Sequence, residues 1–151
     1  MSLKDIISED IKLAMKSRDQ GALRALRAIK SAILLAETAE GASGDLSQED
    51  ELKLLVRQAK QRKDSIEQFV NNGREDLAVG EREELIIIEK YLPKQLTLEE
   101  ITVAVKDIIT AAGATGPGDL GKVMSLATPQ LAGKAEGKII SQVVKELLSG
   151  K

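Results

Sequence analysis

Tyr91-Leu92-Pro93-Lys94-Gln95-Leu96, followed by Thr97 and Glu100, divides this chain. Pro93 disfavours helical backbone at Leu92 and brings no amide donor of its own, so a helix arriving from upstream stops near it. Thr97 and Glu100 stand at capping-box spacing, with Leu96 and Ile101 placed as the accompanying hydrophobic staple. A stop and a start this close predict a hinge at 93–96, between an N-terminal helical domain at 1–92 and a C-terminal one at 97–151.

Downstream, Ile101, Val105, Ile108 and Ala112 recur at helical spacing until Gly113 breaks the run. Thr115-Gly116-Pro117-Gly118-Asp119 opens a short sixth helix through about Leu126, which Thr128-Pro129 stops or restarts. A seventh runs from about Lys134 or Ala135 to Leu148, with Gly150 at its end. Three helices in about 55 residues form a marginal bundle, which is expected to rest on the N-terminal part or on a partner.

Upstream, the spacing predicts four helices. The first covers about Leu3–Lys16, capped by Ser2, with Leu3, Ile7, Ile11 and Ala14 on one stripe. The second covers about Gln20–Thr38, with Ala22, Leu26, Ile29, Ile33 and Ala36 inward. Glu40-Gly41-Ala42-Ser43-Gly44-Asp45 reads as a loop. Ser47 caps a third helix reaching about Asn71, whose buried face takes in Leu52, Leu55, Val56, Ala59, Ile66, Phe69 and Val70; Asn72-Gly73 ends it. The fourth spans about Glu75–Leu92, with Leu77, Leu85, Ile88 and Leu92 as its stripe and Gly80 marking a bend or a close approach. No alternating run suggests a strand. The fold class is all-α: a four-helix N-terminal part followed by a small three-helix bundle.

Composition agrees and narrows the chemistry. Aromatics are 1% of the 151 residues, only Phe69 and Tyr91, so the core is aliphatic and suits helices better than sheets. There is no cysteine, which removes disulfides and thiolate chemistry and fits an intracellular, cytoplasmic setting. There is no histidine, which removes the commonest general base and the most frequent metal ligand. No apolar run approaches the roughly 20 residues of a membrane span, and Met1-Ser2-Leu3-Lys4-Asp5-Ile6-Ile7 reads as a helix opening rather than a signal peptide.

Gly116-Pro117-Gly118-Asp119-Leu120-Gly121-Lys122-Val123 comes close to a phosphate-binding P-loop but fails it twice. Val123 has no hydroxyl for magnesium, and a helix, not a strand, precedes it. Glu81-Arg82-Glu83-Glu84 reads as a solvated helix face rather than a metal or acid/base cluster. Serines lack an elbow motif or a paired base. Catalytic residues, metal ligands and cofactors are therefore none.

Cationic groups are more promising. Three glycine-lysine steps, Gly121-Lys122, Gly133-Lys134 and Gly137-Lys138, set mobile charge beside bare backbone at expected helix ends. Arg57, Lys60, Arg62 and Lys63 crowd the third helix, and Arg24, Arg27 and Lys30 line the second. If those helices are neighbours, the rows merge into a positive stripe; otherwise they pair with Asp64, Glu67 and the acids of the fourth helix. With a formal net charge of −2, a nucleic acid would have to be met by a local patch. Such contacts favour phosphates and give little sequence readout.

Several motifs then point to a family. Lys60-Gln61-Arg62-Lys63-Asp64-Ser65-Ile66, Gly73-Arg74-Glu75-Asp76-Leu77 and Tyr91-Leu92-Pro93-Lys94-Gln95-Leu96 resemble the stand-alone GatB/YqeY-like proteins. So do Gly121-Lys122-Val123-Met124, Pro129 and Gly133-Lys134-Ala135-Glu136-Gly137-Lys138, all in the family's order. Lys134 stands where the family often has arginine, and Glu136 where it often has aspartate. The family's helical region is similar to the C-terminal tail of the B subunit of the glutamine-dependent tRNA amidotransferase.

The resemblance implies an all-α, two-part architecture. It also implies contact with tRNA or another structured RNA through Lys122, Lys134 and Lys138 beside Gly121, Gly133 and Gly137, and a partner in aminoacyl-tRNA metabolism. The label attached to it would be carbon–nitrogen ligase with glutamine as amido-N donor, without intrinsic activity in this chain. A protein-interaction adaptor with no nucleic-acid role is the competing reading.

Overall fold

The computed structural model describes residues 2–39, 41 and 44–150. Among them are seven α-helices and no strand: α1 Leu3–Ser17, α2 Gln20–Thr38, α3 Gln48–Asn71, α4 Glu75–Glu89, α5 Leu98–Ala112, α6 Leu120–Gln130 and α7 Gly137–Leu148, with a 3₁₀ turn at Pro117–Asp119. Of the expected loop, Glu40, Ala42 and Ser43 lie outside the described residues. Gly41 and Gly44 have left-handed φ of 83° and 99°. The chain forms two compact units, Met1–Leu92 and Pro93–Lys151, each with its own apolar cluster.

Local chemistry sets most of the ends. Ser2 and Thr97 both close full capping boxes, with Asp5 and Glu100, while Asp19 and Ser47 cap α2 and α3 through single side-chain bonds. Gly113 ends α5 with a φ of 68°, a backbone that a side chain would strain. Hydrogen bonds from the backbone and side chain of Thr97 hold the Glu100 carboxyl below its usual range.

In the first unit, α2 packs on α1 and α4, and α3 packs on α4, while α2 and α3 touch each other only slightly. Ile7, Leu26, Ile29, Ile33, Leu55 and Ile88 form the centre of its core. Tyr91 ties the end of α4 to α1 by donating its hydroxyl proton to the Asp10 carboxylate; burial, together with that carboxylate, raises the phenol's pKa well above its ordinary value. In the second unit each helix touches the other two, around Ile101, Val105, Val123, Ala127, Ile140 and Val144.

Several expectations are corrected. On α3 only Leu55 and Ala59 are buried; Val56 and Val70 are 38% and 44% exposed, because α3 meets the rest of its unit mainly through α4. On α4, Leu77 is 42% exposed and Ala78 takes the buried position, turning the stripe toward Ala78, Leu85 and Ile88. The helix stops at Glu89, three residues before Leu92, and continues as turns into Pro93. Pro129 does not stop α6, since in the last turn its missing donor forfeits a single ladder bond. Residues 131–135 are turn and bend and Glu136 is extended, so α7 begins at Gly137 rather than Lys134 or Ala135.

Nothing lies within 4 Å of where a Cβ on Gly80 would sit, and no close approach requires the glycine. Gly80→Ala should therefore stabilise the first unit by about 0.5–1 kcal/mol, read as a higher urea midpoint. Because the folded Glu100 carboxyl titrates below its unfolded value, its contribution is present above the carboxylate range and lost as pH falls through it. Glu100→Gln keeps a capping side chain that cannot titrate, so the acid-side fall in thermal stability should become shallower.

Candidate nucleic-acid interface

The basic rows of α2 and α3 do not merge. Between them stands α4, and its acids face both ways. Arg62 occupies the inner stripe of α3, one turn beyond Ala59 and one before Ile66, with a side chain only 24% exposed. Its Nη1 lies 3.0 Å from Glu84 Oε2, to which it donates, and 3.1 Å from Glu81 Oε2, an ion pair out of hydrogen-bond alignment. Arg24 of α2 reaches Glu83 at 3.4 Å and the other oxygen of Glu84 at 3.9 Å. Glu84 thus bridges two helices through one carboxylate that is 14% exposed. The run Glu81–Glu84 is accordingly not a solvated face: Glu81 and Glu84 point inward, and only Arg82 and Glu83 are solvated.

Other members of these rows differ. Lys60 pairs with Asp64 at 3.2 Å along its own helix, and Lys63 is also engaged. Arg27, Lys30 and Arg57 make no ion pair with any described residue. Arg57 lines a cavity of about 740 Å³ between the end of α2 and the start of α3, beside Leu35, Leu46 and Leu54.

The three glycine-lysine steps lie in the second unit, but not in one place. Leu96 N–H donates to Lys134 C=O at 2.9 Å, which brings the lead-in of α7 beside the start of α5. Gln95 Nε2 donates to both Pro93 C=O at 2.9 Å and Gly133 C=O at 2.6 Å, so two motifs far apart in sequence are stitched together. At the other end, Pro117 and Leu120 share a cavity of about 380 Å³ with Lys145 and Leu148, which sets the start of α6 beside the end of α7. The helices run up, down, up. Lys134 and Lys138 consequently share one end, and Lys122 lies toward the other, with the roughly 16 Å rise of α6 between the ends.

All three lysines are exposed, and none forms an ion pair with a described residue. Their glycines have different reasons. Gly133 has a left-handed φ of 76° and a carbonyl bound by Gln95, so the chain itself requires it. Gly121 and Gly137 open their helices with ordinary φ, and nothing lies within 4 Å of a Cβ built on either. Neither backbone strain nor crowding inside the chain explains them. The P-loop-like segment folds as a 3₁₀ turn feeding α6, and Asp119 occupies its interior by accepting from Thr115 N–H at 2.9 Å. That bond is the main reason the Asp119 carboxyl titrates low, with Lys122 adding a smaller field. A carboxylate in that place repels a phosphate. Among the described residues, no group of three or more acidic side chains is arranged to hold a metal ion, and no helix is long and apolar enough to cross a membrane.

The sequence profile of the Yqey-like proteins matches residues 4–148. The chain belongs to this family. A protein of Pyrenophora tritici-repentis named altered inheritance of mitochondria protein 41, mitochondrial, is 30% identical over 149 residues, 96% of this chain and 80% of that protein. The protein of the same name from Kluyveromyces lactis is 30% identical over 142 residues, 92% of this chain and 72% of its own length. The Saccharomyces cerevisiae (strain YJM789) protein is 36% identical over 100 residues, and the match spans 65% of this chain but only 52% of that relative.

The bridging role of Glu84 makes a direct prediction. Glu84→Ala leaves Arg62 short of its best partner and should cost about 1–2 kcal/mol in urea unfolding, less than a fully buried pair because the site is partly solvated. Replacing Arg62, Glu81 and Glu84 together by methionine should recover most of that loss.

Proposed function

We propose that this YqeY-like protein is a non-catalytic module that contacts RNA, with tRNA as the expected partner, through the lysines of its second unit. The observation that supports this reading is the contrast in charge use between the units. Arg24, Lys60 and Arg62 are matched by acids within their own unit. Lys122, Lys134 and Lys138 are exposed and without an ion pair among the described residues, and Gly121 and Gly137 leave backbone open beside two of them. Residues 93–151 carry seven lysines against six carboxylates, whereas residues 1–92 carry fifteen cations against eighteen, so the local field favours a polyanion at the second unit.

An accessory place beside tRNA-dependent amidation belongs to the same proposal, as does a cytoplasmic setting, which the cysteine-free composition favours. The relatives' names make the mitochondrion the competing compartment. A chain without histidine or cysteine is assigned no amide-transfer chemistry of its own; turnover by the purified chain with glutamine, ATP and misacylated tRNA would overturn that part. One observation favours a second reading, a protein-docking module: Leu35 is 72% exposed on the lip of the 740 Å³ cavity.

Filter binding of bulk tRNA separates the two. The RNA reading expects binding at low salt that fades at high salt, weakened several-fold by Lys134→Gln with Lys138→Gln. Gly137→Ala, which the fold accommodates, should also weaken it. Absence of tRNA binding at low salt rejects this function, and a nuclease-insensitive protein partner would favour the second reading.

A further inference from the structure

The second unit also limits which part of an RNA it can hold. Residues 93–151 contain no arginine and no aromatic residue. Phe69 and Tyr91 belong to the first unit, where both are half-buried and the Tyr91 hydroxyl is bound to Asp10. The unit therefore lacks a ring on which an unpaired base could stack, and it lacks the planar fork that reads guanine edges. What it offers instead is lysine point charge, with Lys134 and Lys138 toward one end and Lys122, beside the Asp119 carboxylate, toward the other, and the roughly 16 Å rise of α6 between the ends. Two anchors at fixed separation favour a polyanion whose phosphates already stand in fixed places. A flexible strand would have to be ordered to satisfy both, and that entropy would be subtracted from the affinity.

We infer that the lysine surface of the second unit takes paired, helical RNA by its phosphates and is indifferent to base sequence. The inference rests on the RNA-contacting function proposed above.

Three labelled RNAs of equal length test it with the full chain at low salt: a hairpin, a second hairpin with its base pairs permuted, and an unstructured strand. The two hairpins should bind within about two-fold of each other and at least several-fold more tightly than the strand. The logarithmic salt slope should be about −2 to −3 for three lysine contacts, flattened by about 1 in Lys122→Gln. Circular dichroism of that exposed-site variant checks that it folds. Equal or tighter binding of the single strand, or a ten-fold preference between hairpins, overturns the inference and leaves RNA contact standing. Failure of all three RNAs to bind removes the function itself.

Discussion

Arg62 on the inner stripe of α3 is the constraint around which the first unit is arranged. A guanidinium that is three-quarters covered needs carboxylates close by, and α4 supplies them in Glu81 and Glu84. Because Glu84 also reaches Arg24, a single side chain fixes the placement of α4 against both α2 and α3. Coulomb attraction at such sites is offset by desolvation, so the network contributes less to stability than its contacts suggest. Its larger effect is on placement. A slip of α4 by one residue would carry Glu81 and Glu84 away from Arg62 and move Ala78 and Ile88 out of the positions they fill.

That arrangement explains what the sequence made legible and what it did not. The starts of α1, α3 and α5 were readable because each rests on a side chain and a backbone N–H three residues away: Ser2, Ser47 and Thr97 cap as their spacing implied. The span of α2 and the stop at Gly113 were readable for the same local reason. Apolar periodicity failed on α3 and α4 because it assumes that every face of apolar residues finds a neighbour. Val56, Val70 and Leu77 stand at core spacing with too little packed over them, while Arg62, Glu81 and Glu84 sit on the covered side. Ion pairs between helices leave no periodic trace, so Glu81–Glu84 looked like solvent-facing charge.

The candidate interface shows the same limit in another form. Gly121-Lys122 and Gly137-Lys138 look alike and lie near each other in sequence, yet an up-down-up bundle sends successive helix starts to opposite ends. Proximity along the chain misleads here because the eleven residues of α6 carry the backbone from one end to the other. The tie between Gln95 and Gly133 is the converse case, distant in sequence and joined at 2.6 Å. It gives Gly133-Lys134 a structural purpose, a long-range tie, that spacing along the chain does not reveal. Gly121 and Gly137 keep the external reading, since no strain or crowding within the chain calls for them.

Charge has a different destination in each unit, and this follows from helix packing more than from composition. In the first unit the acidic helix lies between two basic ones, so each close pair lowers the field that an outside polyanion would feel. Where α2 and α3 part, Arg57 stands beside a cavity that it lines together with Asp45, Asp50 and Lys53 as well as leucines, rather than in a continuous positive stripe. In the second unit the cores of α5, α6 and α7 are aliphatic and sealed without charge, and Lys122, Lys134 and Lys138 form no ion pair among the described residues. A modest excess of one cation there can matter more to a phosphate than fifteen cations set among eighteen acids, several of them closely paired. Screening sharpens the distinction, because at physiological salt a phosphate responds to charges within about 8 Å and not to the sum over the chain.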